Sequence, residues 1–156
     1  MTPMTAAADT ADSHQQRFSA VAVLLQDTAR AWRLKLDQRL RPLGLSQAKW
    51  RTLVLVNRAG DGVTQKHLAD LMGIEGPTLV RLLDRLEADG WVERRVCPRD
   101  RRNRLIHLSA KSRDMLVRIE SVAAGLRTEV LSDVAADDLE TFDRVLRHIR
   151  THLDAV

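Results

Sequence analysis

Trp91-Val92-Glu93-Arg94-Arg95-Val96-Cys97-Pro98-Arg99-Asp100-Arg101-Arg102-Asn103-Arg104-Leu105-Ile106-His107-Leu108 reads as two short strands around a polar tip. Trp91 to Val96 is strand-like. In Arg104 to Leu108 the side chains alternate, with Leu105 and His107 on one face and Ile106 and Leu108 on the other. Six arginines, Arg94, Arg95, Arg99, Arg101, Arg102 and Arg104, crowd into eleven residues. Arginines at that density repel one another unless something anionic faces them.

Working upstream, Thr64 is placed to cap a short helix, Gln65 to Met72, with Leu68, Ala69 and Met72 inward and Gly73 ending it. A further helix starts at Gly76-Pro77, proline being suited to a first turn, and runs to Gly90. Leu79, Leu82, Leu83 and Leu86 form its apolar stripe. Its opposite face carries Pro77, Thr78, Arg81, Asp84 and Arg85. Two helices across a tight turn, followed by a basic hairpin, make the plan of a winged helix that enters duplex DNA.

Outward again, the first long helix is expected from Gln15 to Arg41, with Phe18, Val21, Ala22, Leu25, Ala29, Trp32, Leu36 and Leu40 at three- and four-residue steps. Pro42 stops it. Ser46 caps a second helix to about Ala59, whose interior Leu53-Val54-Leu55-Val56 is apolar on every side and so central. Gly60-Asp61-Gly62 is a turn. Ser109 caps a fifth helix to about Leu131, with Met115, Leu116, Ile119, Val122, Ala123, Leu126 and Val130 on one face. The last helix, Ala136 to Leu153, gathers Leu139, Phe142, Val145, Leu146, Ile149 and Leu153.

The expected fold is mainly α with a small β-hairpin, a winged helix-turn-helix (46–109) flanked by N- and C-terminal dimerisation helices (15–41, 110–131 and 136–153). Residues 1–14 are read as a flexible tail and 15–156 as a single domain. The central unit cannot cover three long apolar stripes, so a two-fold homodimer is expected, which also suits palindromic DNA. An internal helix cluster in a monomer is the other solution.

At 156 residues, 44% hydrophobic and 29% charged, the chain has the size and composition of one folded domain. Aromatic content of 3% disfavours a binder that stacks single-stranded bases. The net charge of +4 is carried mostly by arginine, lysine standing only at 35, 49, 66 and 111. Arginine forks onto phosphate and guanine edges. The single cysteine, Cys97, excludes an internal disulfide. No apolar run approaches the roughly 18 residues of a membrane span. Met1 to His14 lacks the apolar core of a signal peptide, and a cytoplasmic protein is expected.

The expected DNA contacts are Gly76, Pro77, Thr78 and Arg81 at the start of the second reader helix, Arg85 one turn on toward phosphate, and Gln65 on the preceding helix. Arg102 is the candidate for the minor groove, whose negative potential attracts arginine. Arg99 and Arg101 would meet phosphate or water. Asp100 would hold a neighbouring arginine through a charge-assisted pair. Arg81 and Arg85 pairing with Asp84, Asp89 or Glu75 on a solvated helix is the competing reading. His148 and His152 have metal-compatible spacing but no third ligand. His67 would touch phosphate or nothing. No glutamate-flanked histidine pair, phosphate-cradling loop or serine elbow occurs, so neither an enzyme nor a cofactor is expected.

From about Leu24 to Leu153 the chain resembles the MarR family of transcriptional regulators, and within it the SlyA group. The resemblance rests on Ala31-Trp32-Arg33, Arg39-Leu40-Arg41-Pro42-Leu43, Leu45-Ser46-Gln47 with Trp50, and Gly73-Ile74-Glu75-Gly76-Pro77-Thr78-Leu79-Val80-Arg81. It continues through Asp84 to Gly90 and Cys97-Pro98-Arg99-Asp100-Arg101-Arg102. Asp100 and Arg102 match the family's aspartate–x–arginine wing tip. The resemblance implies an obligate dimer on a pseudo-palindrome, a repressor released by a small aromatic carboxylate or phenol, and Arg30 and Trp50 as effector contacts. It also implies that Cys97 is either an oxidisable thiol or an inert one. Two departures stand out. Ala135 occupies a position where relatives often have a capping serine, so Asp133 or Asp137 would have to substitute, and the N-terminal tail is longer than the resemblance needs. A SlyA-like counter-silencer that raises transcription is an alternative, as is a winged-helix protein-interaction module that reads no DNA.

Overall fold

A computed structural model describes the backbone over residues 6–155 and side chains over residues 14–155. The long first helix, α1, spans Ala6–Leu40. It therefore begins well before Gln15, and residues 6–14, expected as a tail, are helical. Ala6-Ala7-Ala8 and Ala11 are strong helix formers and no glycine or proline interrupts them, so local propensity outweighs the polar composition that suggested a loose segment. Residues 1–5 of that expected tail lie outside the described residues. Pro42 sits in a short 3-10 turn, Arg41–Leu43, closed by Gly44 at φ 72°.

Helix α2 (Gln47–Arg58) starts where the Ser46 side chain accepts the Lys49 N–H. Its Trp50, Leu53 and Val56 are buried, but Val54 and Leu55 are only half-buried, so it is central on one side rather than all round. Strand β1 is two residues, Val63–Thr64. Helix α3 (Gln65–Met72) is capped by Thr64, which accepts the His67 N–H, and closes on Gly73 in the left-handed region. Helix α4 (Gly76–Ala88) buries Leu79, Leu83 and Leu86 and leaves Leu82 half-exposed. Strands β2 (Val92–Val96) and β3 (Arg104–Leu108) form the hairpin. Helices α5 (Ala110–Leu131) and α6 (Ala136–Leu153) complete the chain. Ser109 caps α5 by accepting the Ser112 N–H. Among the described residues no helix is long and apolar enough to cross a membrane.

The sheet is three-stranded and antiparallel, in the order β1-β3-β2. Beyond the expected hairpin, β1 pairs Val63 with Ile106 and Thr64 with Leu105. A two-residue strand is too short to show a period of two, which is why sequence pattern misses it. The turn before it has Gly60, Asp61 and Gly62 all at positive φ, and the Gly62 N–H donates to the Ile106 carbonyl at 2.8 Å. Asp61 fastens this corner. Its carboxylate accepts the Leu108 N–H at 2.8 Å and Arg113 of α5 at 2.8 Å.

Contacts divide the chain inside α5 into two compact units, residues up to Ile119 and residues from Glu120. The first holds the core of Leu40, Leu53, Leu68, Leu79, Leu83 and Ile106, yet α1 exposes Phe18, Val21 and Leu24. The second buries Leu126 and exposes Val130, Phe142, Val145 and Leu153.

Candidate nucleic-acid interface

Helix α4 presents the side chains that its sequence places outward. Gly76, Pro77, Thr78, Arg81 and Arg85 are all exposed. Glu75 occupies the N-cap in extended geometry without a side-chain hydrogen bond, so no carboxylate competes for the first-turn amides. The competing reading put Arg81 and Arg85 onto nearby acids. Asp84 instead pairs with Arg94 at 2.7 Å and Asp89 lies 3.9 Å from Lys49. Among the described residues neither Arg81 nor Arg85 has an ion pair. Both line a cavity of about 400 Å³ with Thr78, Arg51 of α2 and the apolar Met72, Ile74 and Leu82. Arg51 was not anticipated, because its place on α2 beside Trp50 gives no outward signal in a helix rich in apolar residues.

The hairpin tip is ordered by its own hydrogen bonds. Cys97 N–H donates to the Asn103 carbonyl and Asn103 N–H to the Asp100 carbonyl. Asp100 accepts the backbone N–H of Arg102 and the side-chain amide of Asn103, each at 3.0 Å. Asp100 thus holds the Arg102 backbone, not a neighbouring guanidinium as the sequence suggested. A short carboxylate closing a turn on the amide two residues ahead is the local geometry aspartate favours. Arg99, Arg101 and Arg102 remain exposed and without ion pairs among the described residues.

Two of the six hairpin arginines are already answered within the chain. Arg95 pairs with Glu93 at 2.8 Å. Arg94 is half-buried and clamped by Glu87 and Asp84 of α4. Its hydrogen bonds hold the Glu87 carboxyl below the usual carboxylate range, and the same bonds raise the guanidinium further. The signal was present in Asp84 and Glu87, three apart and so on one helix face. Gln65 is half-buried and lines a recess with Val80, Glu87, Arg94 and Arg104.

The remaining candidates fall elsewhere. Trp50 is core, its indole N–H donating to Asp37 at 3.3 Å, while Arg30 is exposed on α1. Cys97 is a half-buried free thiol. His148 and His152 are exposed with ring centroids 4.2 Å apart, and among the described residues no group of three or more potential ligands could hold a metal. His67 is exposed. Lys49 and Lys111 both lie over the buried Trp91 ring, at 4.9 and 4.0 Å from its centroid, packing that joins α2 and α5 to the base of the hairpin.

The MarR family pattern matches residues 43–103, the stretch from the 3-10 turn to the wing tip. The crystal structure of the transcriptional regulator PA3341 is 42% identical, over 87% of this chain and 99% of that one, with a TM-score of 0.79. A MarR variant from E. coli complexed with operator DNA has the same fold, at 24% identity over 85% of this chain and 95% of that one, TM-score 0.72. CouR from Rhodococcus jostii RHA1, bound to p-coumaroyl-CoA, is 26% identical over 83% and 90%, TM-score 0.70. An exposed recognition-helix face, a basic wing and these likenesses converge: the chain belongs to the MarR family and is a DNA-binding transcriptional regulator, not an enzyme.

Proposed function

We propose that the chain acts as a homodimeric repressor of the SlyA group that binds a pseudo-palindromic operator and is released by a small aromatic acid. The observation that carries the DNA reading is the single exposed surface made by Thr78, Arg81 and Arg85 on α4, whose guanidiniums have no ion pair among the described residues. Arg81 would fork onto guanine in the major groove, with Gly76, Pro77 and Thr78 at the groove floor and Arg85 and Gln65 toward the backbone. Arg102, held by Asp100, would enter the minor groove, with Arg99 and Arg101 on flanking phosphates.

Dimerisation is supported by the apolar side chains that each unit leaves in solvent, Phe18 being 65% and Phe142 54% exposed. Residues 46–109 would then be the reader and the long terminal helices the dimerisation elements. For the effector, the support is that CouR is bound to p-coumaroyl-CoA, whose acyl group is aromatic although it is a thioester and not a free acid. Arg30 and Trp50 answer an aromatic acid poorly, because the Trp50 ring is buried. The cavity lined by Arg51, Arg81 and Arg85 brings three cations together with the apolar Met72, Ile74 and Leu82. An aromatic carboxylate seated there would compete with DNA for Arg81 and so relieve repression.

Selection of genomic fragments by wild type and by Arg81→Ala at near-physiological salt tests the reading. Wild type should enrich a pseudo-palindrome, and the variant should bind it about 1–3 kcal/mol more weakly and lose preference at one base position per half-site. Equal, motif-free recovery by both would leave only electrostatic attraction. A reporter downstream of the recovered site, in cells with and without the protein, gives the sign of regulation.

A further inference from the structure

We propose that Arg94 is a positioning residue that locks the wing to the recognition helix, through Asp84 and Glu87, so that both grooves are read by one rigid unit. Arg94 belongs by sequence to the basic hairpin, yet its donors are spent inside the protein. Its backbone N–H donates to Glu87 Oε1 at 2.9 Å, its Nε to Oε2 at 2.8 Å and its Nη2 to the same oxygen at 2.6 Å. The same Nη2 lies 2.7 Å from Asp84 Oδ1. One residue of β2 therefore grips the last two turns of α4 with both its main chain and its side chain.

The geometry explains why such a grip matters. Between α4 and β2 the chain turns at Gly90, φ 73°, where the Gly90 N–H donates to the Glu87 carbonyl and the Trp91 N–H to the Leu86 carbonyl, so backbone bonds end at the root of the wing. The base of the hairpin is fixed by β1 and by the Asp61 carboxylate. Arg94 adds an attachment further toward the tip, on the side facing α4. With it, the angle between recognition helix and wing is set before DNA arrives, and DNA does not have to order it. Arg94 also neutralises Asp84, which shares the exposed face of α4 with Arg81 and Arg85 and would otherwise repel phosphate.

This inference rests on the DNA reading above, and the two fail differently. The discriminating variant is Glu87→Gln, which makes the protein more positive. Simple electrostatics would then tighten binding to any duplex. The clamp requires the opposite on the selected site. Full-length Glu87→Gln should bind the duplex selected by wild type about 5- to 20-fold more weakly, while a scrambled duplex is bound equally or more tightly. Adding Arg102→Ala should cost less in the Glu87→Gln background than in wild type, because an unanchored wing contributes less to begin with. Arg94→Lys, which keeps the charge but not the fork, should fall between wild type and Glu87→Gln. Unchanged or tighter operator binding by Glu87→Gln overturns the proposal, as do losses that simply multiply. If the melting curve shows Glu87→Gln unfolded, Asp84→Asn, at a more exposed position, takes the same test. A wild-type protein that selects no sequence overturns the DNA reading and the clamp together.

Discussion

Asp61 shows how much one turn residue can hold. It sits at φ 53°, where few side chains other than aspartate and asparagine settle readily, and its carboxylate gathers the Leu108 N–H, Arg113 and, 3.6 Å away, His107 Nδ1. Burial pushes its carboxyl up. The Leu108 amide, the Arg113 bond and the charges around it outweigh that, and the net shift is downward from the ordinary 3.8. A carboxyl lowered in the folded state contributes stability above its ordinary range and loses it as the pH falls through the folded value. Wild type should therefore lose melting temperature between about pH 5 and pH 3, and Asp61→Asn should lose less over the same interval while starting lower at neutral pH. Identical pH slopes for the two proteins would show that Asp61 is not part of the acid sensitivity. The wing makes a related point at the same scale. Six arginines look alike in sequence, but Arg94 and Arg95 are spent on acids of the chain, and Arg99, Arg101, Arg102 and Arg104 are the exposed remainder.

Among the elements, the start of α6 is the least well finished. Ala135 holds the N-cap in extended geometry, φ −60° and ψ 145°, and supplies no side-chain hydrogen bond. Asp137 and Asp138 in the first turn favour the helix dipole but do not replace a cap. Ala135→Ser should stabilise the protein by about 0.5–1 kcal/mol. That corresponds to a rise of about 1–4 °C in melting temperature for a chain this size. No rise would mean that the acidic turn already satisfies the free amides. Helix existence and caps were legible in the sequence because Ser46, Thr64, Gly73 and Ser109 stand at boundaries whose chemistry is local. The hairpin was legible from its alternation. What was hidden depends on partners distant along the chain. Strand β1 exists because Ile106 waits beside Val63, and Asp61 reaches Arg113 fifty-two residues away. Asp100 is legible as a tip residue, but its oxygens accept the Arg102 backbone N–H and the Asn103 side-chain amide rather than a guanidinium. Arg51 meets Thr78, Arg81 and Arg85 around one cavity only in the folded arrangement of α2, α3 and α4.

For the whole molecule the unresolved energy lies in apolar side chains left in water. On α1, Phe18, Val21 and Leu24 follow one another at three-residue steps and all are exposed. In the C-terminal unit Phe142 and Val145 repeat the pattern, with Val130 and Leu153 also exposed. Burying a side chain of this size is worth about 1.5–3 kcal/mol, so a few of them, doubled by a two-fold axis, suffice to offset the cost of association. A second copy is the simplest cover, since an isologous contact places each stripe against its symmetry mate and sets two recognition helices on a palindrome. Sedimentation at micromolar concentration should find wild type as a dimer and Phe142→Asp shifted toward monomer, with its melting temperature lowered in step with dilution. Operator binding by the variant should weaken and become steeply dependent on protein concentration, because two half-sites must then be filled by separate molecules. A wild-type monomer under these conditions would remove the homodimer reading and, with it, the reason to expect a two-fold operator, leaving one α4 to read a single half-site.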